Sequence, residues 1–304
     1  MKVLISGSSG LIGSSLKSNL ESDGIEVVSL CRQKSNVISG KSVFWDPGNK
    51  EIDKKSLDDL GPIEAVVNLA GESIGNARFN STVKKKILDS RVDCTSLLAD
   101  TILELRSRPK VFISGSAIGI YGDRGEEVLK EHSNPGTGFL AQVCQAWENS
   151  ANTSEDGGLR VVNIRTSIVL SKNGGALKRQ LPIFRFGLGA SLGSGNQWMS
   201  FITLEDEIRA IRFLIKDDSI FGPVNLSTNN PVTNRDFTKN LGKILSKPVI
   251  LKIPKIGLYA ALGKELSQEL LLTSQKVSPQ VLTEAGFQFQ AETIDQALKV
   301  AIGG

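Results

Sequence analysis

The chain has 304 residues, with 36 Lys and Arg against 32 Asp and Glu, and its net charge of +4 gives little support to a nucleic-acid interface. Three scattered cysteines (Cys31, Cys94, Cys144) and a single histidine (His132) argue against a disulfide framework, a thiolate metal site or a histidine metal cluster. No apolar run reaches the ~18 residues of a membrane span, and Met1 leads straight into a strand, so a cytoplasmic protein in a reducing compartment, without a leader, is expected.

The first predicted element is also the most informative. Val3–Ser6 reads as a buried strand, Gly7, Gly10 and Gly13 follow at three-residue spacing, and Ser14–Ser22 reads as a helix. A strand that turns through glycines into a helix aims free backbone N–H groups and the positive end of the helix dipole at one spot. That spot suits a pyrophosphate. Gly7 permits the turn, Gly10 lets the phosphates approach, and Gly13 lets helix pack on strand. The expected contacts are Gly7, Ser9, Gly10, Leu11, Ile12 and Gly13.

Further strands are predicted at Val27–Leu30, Ala65–Leu69, Val111–Ser114 and Val161–Arg165, with helices at Ser81–Leu105 and Leu140–Ser150. Apolar strands alternating with helices imply a doubly wound parallel sheet, the Rossmann-type α/β class. Residues 1–173 read as the nucleotide domain, with a returning strand near 222–227. Residues 174–304 read as a smaller substrate lobe that starts with a glycine-rich loop region. In that lobe Glu205–Lys216 and Asn234–Leu245 read as helices. The extension over about 250–300 reads as helical, with Leu258–Leu272 and Val277–Ala285 ending at Gly286.

The second strand runs into Cys31 and Arg32, where NAD-specific folds place an acid for the ribose 2′-hydroxyl. No acid is present. A guanidinium grips a 2′-phosphate instead, so NADP(H) is favoured over NAD(H). Small residues after the next strand, Leu69-Ala70-Gly71, let a cofactor lie close to the backbone. Arg91 on the following helix is expected to turn toward it, and Ser114 to lie beneath it.

The combination NLAGESI, SRV, SGSAIGIYG, FLAQVCQAWE and GLGASLGSGNQWMSFITLED resembles the extended short-chain dehydrogenase/reductases. It is closer still to their atypical branch of nucleoside-diphosphate-sugar epimerase-like proteins, also labelled cell division inhibitor-like. The tail LLTSQKVSPQVLTEAGFQF resembles that branch's C-terminal extension. The resemblance implies a bound NADP(H), a C-terminal substrate lobe, and a small substrate, a nucleotide sugar or a carbonyl compound.

Members of the wider superfamily use a Tyr-x-x-x-Lys pair for proton transfer. Here Tyr121 is followed four residues later by Gly125 and Tyr259 by Gly263, so the pair is absent. Its expected slot is Phe139-Leu140-Ala141-Gln142-Val143-Cys144. Alignment on Tyr121-Gly122 puts Ala117 at the superfamily's serine, with Ser116 beside it. Ser116, Tyr121 and Glu148 are therefore the candidate catalytic residues. Gln197, Trp198 and Ser200 are candidate cavity-lining residues. Two readings stay open: an NADP(H)-dependent epimerase or oxidoreductase, and a catalytically weak cofactor-binding scaffold or redox sensor linked to cell division. Protein partners and a choice between monomer and homodimer are not legible.

Overall fold

Along β1 (Lys2–Ser6) the side chains alternate, with Val3 and Ile5 entering one apolar core and Leu4 the other. Both faces of the sheet are therefore covered. The computed structural model of the chain describes residues 1–76, 78–152 and 157–303. After β1 the chain continues through α1 (Leu11–Ser22), β2 (Glu26–Cys31), β3 (Ser42–Asp46), β4 (Glu51–Ile52), α2 (Lys54–Asp59), β5 (Ala65–Asn68), α3 (Ser81–Glu104) and β6 (Val111–Ala117). It goes on through β7 (Val128–Leu129), α4 (Phe139–Asn152), β8 (Arg160–Thr166), β9 (Ile168–Leu170), α5 (Gly175–Arg185), β10 (Ala190–Leu192), β11 (Trp198–Met199) and β12 (Phe201–Thr203). The rest comprises α6 (Leu204–Lys216), β13 (Gly222–Leu226), β14 (Val232–Thr233), α7 (Asn234–Ile244), β15 (Leu251–Ile253), α8 (Lys255–Leu262), α9 (Lys264–Leu270), β16 (Lys276–Val277), α10 (Gln280–Glu284) and α11 (Ile294–Gly303).

The eight-stranded sheet has the order β13-β8-β6-β5-β1-β2-β3-β4, and every pairing in it is parallel except β3 with β4. Strand order reverses at β1, with β2 on one side and β5 on the other. Ligands of open parallel sheets sit outside the carboxyl ends of the strands at such a switch point. One face is closed by a core with Leu16, Leu20, Ile208 and Ile211 of α1 and α6, the other by Leu57, Leu98 and Ile102 of α2 and α3. This is the expected Rossmann-type architecture, and a third apolar cluster joins α5, α7 and α11 beside it.

Several boundaries differ from the sequence reading. Helix α1 begins at Leu11 rather than Ser14, because Gly10 in an extended conformation already serves as N-cap. Strands β3 and β4 escaped notice, since Ser42–Asp46 alternates half-buried and buried residues and carries its own charge. Helix α5 forms inside the supposed loop region and tolerates Pro182. The stretch read as a helix from Val277 starts as strand: Lys276–Val277 pairs with Val128–Leu129, and only Gln280–Glu284 is helical. The Leu258–Leu272 helix is broken at Gly263, whose φ of +90° ends α8 and starts α9. Leu282 and Phe287 of the extension enter the main core. No helix among the described residues is long and apolar enough to cross a membrane.

Candidate functional site

The turn after β1 is built so closely that side chains are excluded at Gly7 and Gly13. Gly7 has φ +67°, and a Cβ there would lie 2.6 Å from the Leu69 carbonyl oxygen of the neighbouring strand end. A Cβ on Gly13 would lie 2.2 Å from the Gly7 oxygen, so the helix presses directly on the turn. Gly10 is different: its Cβ position meets only the Gly7 oxygen, at 3.3 Å. No side chain caps α1, and Gly10, its N-cap, offers none. The first amides of the helix, at Leu11, Ile12 and Gly13, thus form an uncapped, positively polarised end. Ser9 and Gly10 are exposed beside it, while Leu11 and Ile12 are half-buried.

Two guanidinium groups flank this cradle. Arg32, just past β2, is exposed and has no ion-pair partner among the described residues. Cys31 before it is half-buried, with its thiol turned toward the Val43 and Gln33 carbonyls. Arg91 of α3 is buried against the end of β5, and a Cβ on Gly71 would meet its Cγ and Cζ at 3.3 Å. It donates to the Glu72 and Ile87 carbonyls and lies over the Trp147 ring, but no carboxylate among the described residues pairs with it. Burial lowers its pKa. A buried cation without an anion is unfavourable unless an anionic group completes the site. Leu69 and Ala70 are half-buried and Gly71 exposed along the same crevice.

A polar chain missed by the sequence reading holds these strand ends together. Ser6 donates to Asn68 at 2.5 Å, Asn68 donates to Thr95 at 2.8 Å, and Trp147 donates to the same Thr95 oxygen at 2.9 Å. It spans β1, β5, α3 and α4. The signal was an amide closing an otherwise apolar strand. Ser114 lies in the adjacent register of β6, fully buried, and its hydroxyl reaches only the Gly115 carbonyl.

The three candidate catalytic residues do come together, around an arginine the sequence reading overlooked. Ser116 donates to Glu148 at 2.6 Å. Arg165 of β8 grips both Glu148 oxygens at 2.8 Å, one through Nε and one through Nη2. Its remaining donor reaches the Tyr121 hydroxyl at 3.0 Å and the Glu131 carbonyl at 2.8 Å. Tyr121 in turn donates to Asn225 at 2.7 Å. Tyr121 has no exposed surface, and Ser116, Glu148 and Arg165 are buried. Burial pushes the Tyr121 phenol up, while Glu148 more than offsets the burial of Arg165 and holds its guanidinium above the ordinary value. The Tyr121 hydroxyl thus has both its proton and a lone pair engaged inside the protein. Arg165 was detectable as a charge within an apolar strand.

The slot of the missing pair is apolar and filled. Leu140 and Cys144 are buried, and both lie 3.7 Å from the Cβ position of Gly119. Burial raises the Cys144 thiol to about 12, so it is no nucleophile at neutral pH. Phe139 is half-buried and stacks edge-on with Phe79, and Lys84 lies over its ring. The amides of Phe139 and Leu140 are capped by the Glu269 carboxylate from α9, at 3.0 and 3.1 Å.

Other candidates turn out to brace the extension. Gln197 donates to the Leu192 and Leu271 carbonyls. Ser200 donates to Gln275 and accepts from Val277. Trp198 donates to Glu126 beneath Lys276. His132 is exposed. Among the described residues no group of three or more His, Cys, Asp or Glu could hold a metal ion.

Residues 3–226 match the model of the NAD dependent epimerase/dehydratase family, and residues 253–301 match a domain of unknown function, DUF1731. An epimerase family protein of Mycobacterium bovis is 41 % identical over 299 residues, covering 98 % of this chain and 97 % of that protein. The crystal structure of the human epimerase family protein SDR39U1 (isoform 2) with NADPH superposes with a TM-score of 0.89 at 28 % identity, covering all of both chains. A nucleoside-diphosphate sugar epimerase from Corynebacterium glutamicum superposes with a TM-score of 0.81 at 35 % identity, covering all of this chain and 58 % of that one.

Proposed function

The chain belongs to the NAD dependent epimerase/dehydratase family, and from that premise we propose that it is an NADP(H)-dependent oxidoreductase or epimerase acting on a small carbonyl compound or nucleotide-linked sugar. The observation that carries the reading is the crevice over β1 and β5. It combines a glycine turn pressed against the end of β5, an uncapped helix end and, among the described residues, a buried Arg91 and an exposed Arg32 without carboxylate partners. These groups fit a dinucleotide phosphate. Gly7 to Gly13 would hold the pyrophosphate, Arg32 the 2′-phosphate, and Leu69 to Gly71 the flank of the ligand. The NADPH reported with the human relative supports the same choice. When bound, such a cofactor supplies or accepts a hydride, and the protein's task is to position it and move the accompanying proton.

For that proton the chain has no Tyr-x-x-x-Lys pair. Ser116, Tyr121 and Glu148 act here as positioning residues: through Arg165 they lock β6, α4 and β8 in register beneath the site. The proton then comes from the substrate's own groups or from water. General acid–base help is typically worth about 10²–10⁴-fold, so turnover is slow or confined to a substrate that needs little such help. The apolar packing of Leu140 and Cys144 in the slot favours a second reading, a cofactor-binding scaffold without turnover. A screen separates the two. Purified protein and NADPH are incubated with a panel of carbonyls and nucleotide sugars, and NADPH loss and product isomers are measured. Conversion of any panel member above the protein-free rate supports the enzyme, and binding of NADPH with none converted supports the scaffold.

A further inference from the structure

Helix α8 has the sequence Lys-Ile-Gly-Leu-Tyr-Ala-Ala-Leu, apolar on all sides after its first residue, yet Leu258 is its single buried side chain. A helix that is apolar all round is ordinarily enclosed, by protein or by lipid. Ile256 on it is 79 % exposed. The strand before it, β15, is exposed along its whole length, and Ile250 leading into it is 86 % exposed. The partner of β15 is β10, in parallel register with Ala190 beside Leu251. The segment entering β10 from α5 carries Ile183, Phe186 and Leu188, of which Phe186 is 82 % exposed. The end of α5 with the segment into β10, together with β15 and α8, therefore presents large aliphatic and aromatic side chains. An apolar surface of this kind marks an interaction site.

Its charge narrows the occupant. Residues 171–204 contain four Lys or Arg and no acid, and residues 237–264 contain six Lys and no acid. Against the chain's net +4, these ten charges leave −6 on everything else. Arg185, Lys247, Lys252 and Lys255, which flank the apolar side chains, are exposed and have no ion-pair partner among the described residues. Lys255 opens α8, whose N-cap Pro254 offers no capping side chain, so the positive end of the helix adds to the field. A second copy of the chain would bring like charge against like charge. A surface that offers anions over an apolar interior satisfies both halves of the patch.

We infer that the face formed by the end of α5, β10, β15 and α8 docks peripherally on an anionic lipid bilayer. Phe186, Ile250 and Ile256 enter the headgroup–acyl boundary, while Arg185, Lys247, Lys252 and Lys255 contact the headgroups. Nothing crosses the membrane in this arrangement, and the crevice over β1 and β5 stays open to water.

The test is co-sedimentation of the full chain with vesicles of phosphatidylcholine alone and with about one-third phosphatidylglycerol, at low and high salt. The protein is expected to pellet with the phosphatidylglycerol vesicles at low salt, to be largely released at high salt, and to ignore phosphatidylcholine. Each reversed charge in Lys252→Glu/Lys255→Glu should weaken binding at least about fivefold, the loss expected from removing one cation. Phe186→Ser/Ile256→Ser should weaken it as well, with both variants melting at the wild-type temperature. Wild-type protein that stays in the supernatant overturns the inference, as does equal binding to phosphatidylcholine or binding that survives either double variant. Self-association through these residues without lipid binding also overturns it.

Discussion

At the scale of single residues, the glycines of the first turn do different work, and substitution separates them. Gly10 has an ordinary extended conformation, and a Cβ there meets the Gly7 oxygen at 3.3 Å, a tight contact that asks the neighbour to shift by a few tenths of an ångström. Gly10→Val should therefore lose less stability than Gly13→Ala and lose NADPH binding, because its methyl groups occupy the phosphate approach. Gly13→Ala should do the reverse first: a Cβ 2.2 Å from the Gly7 oxygen forces helix and turn apart. Overpacking of this kind costs about 1–3 kcal/mol, measurable as a lower urea midpoint. Normal NADPH binding by Gly10→Val would place the phosphates elsewhere. The buried pair Arg165–Glu148 is a second residue-scale case. Glu148→Gln leaves Arg165 without its counter-charge, and breaking a buried pair costs about 3–5 kcal/mol. Its signature is loss of stability with the NADPH affinity of the surviving folded fraction unchanged. A catalytic role for Glu148 would instead lower turnover at unchanged stability. The cysteines differ in their expected reactivity. Cys94 and Cys144 are both held at about 12 by burial, so neither should react with iodoacetamide in native protein at neutral pH, whereas half-buried Cys31 should.

At the scale of elements, the strands carrying the cofactor crevice were legible because each is an apolar run of ordinary length bounded by glycine or by charge. Val3–Ser6 and Ala65–Leu69 fall within a residue of β1 and β5. The elements that were not legible share a physical cause. Strands β3 and β4 lie at the sheet edge, where one face meets solvent and the apolar run breaks up. Helix α5 hides behind Gly174 and Gly175 at its start and Gly187 and Gly189 after it. Helix α11 falls in the extension read as helical over about 250–300 but without bounds of its own, and Ile294, Ala297, Leu298 and Ala301 bury one stripe of it. The site divides in the same way. The glycine turn proposed to hold the phosphates is local in sequence, and its strand–turn–helix geometry could be read from it. The Arg165 network joins residues from 116 to 225, and such distance leaves no spacing to detect. Glu269 capping α4 from 130 residues away is another instance. The packing of α4 on Gly119 also discriminates between two ways of restoring the Tyr/Lys pair. Leu140→Tyr/Cys144→Lys buries a charge in a filled slot and should fold poorly. Phe139→Tyr/Val143→Lys starts from a half-exposed ring but still places its lysine at a buried position, so it should be the milder of the two by circular dichroism.

At the scale of the whole molecule, stability should depend on one carboxyl. Glu207 of α6 is wholly enclosed, accepts from Thr166 at 2.7 Å through one oxygen, and has no partner for the other. Burial raises it to about 8, against an ordinary value of 4.5. The folded state thus holds this proton more tightly than the unfolded state. Its contribution is complete below pH about 4.5 and is lost as pH rises through about 8. Urea midpoints of wild type should fall across that window, and Glu207→Gln, which keeps the Thr166 bond without a titrating proton, should flatten the fall. An unchanged slope in the variant would assign the pH dependence to other groups. Glu207 sits on the apolar stripe of α6 between Leu204 and Ile211, and that misplaced charge was the available sign of it.

The crevice is proposed to take a dinucleotide whose 2′-phosphate Arg32 reads. Calorimetric titration of the wild type and of Arg32→Ala with NADPH and NADH tests this most directly. The wild type should bind NADPH more tightly by an amount in the range of a charge-assisted contact, about 1.5–3 kcal/mol, and Arg32→Ala should bind the two alike. Equal affinity of the wild type for both, or a preference for NADPH that survives loss of Arg32, would contradict it.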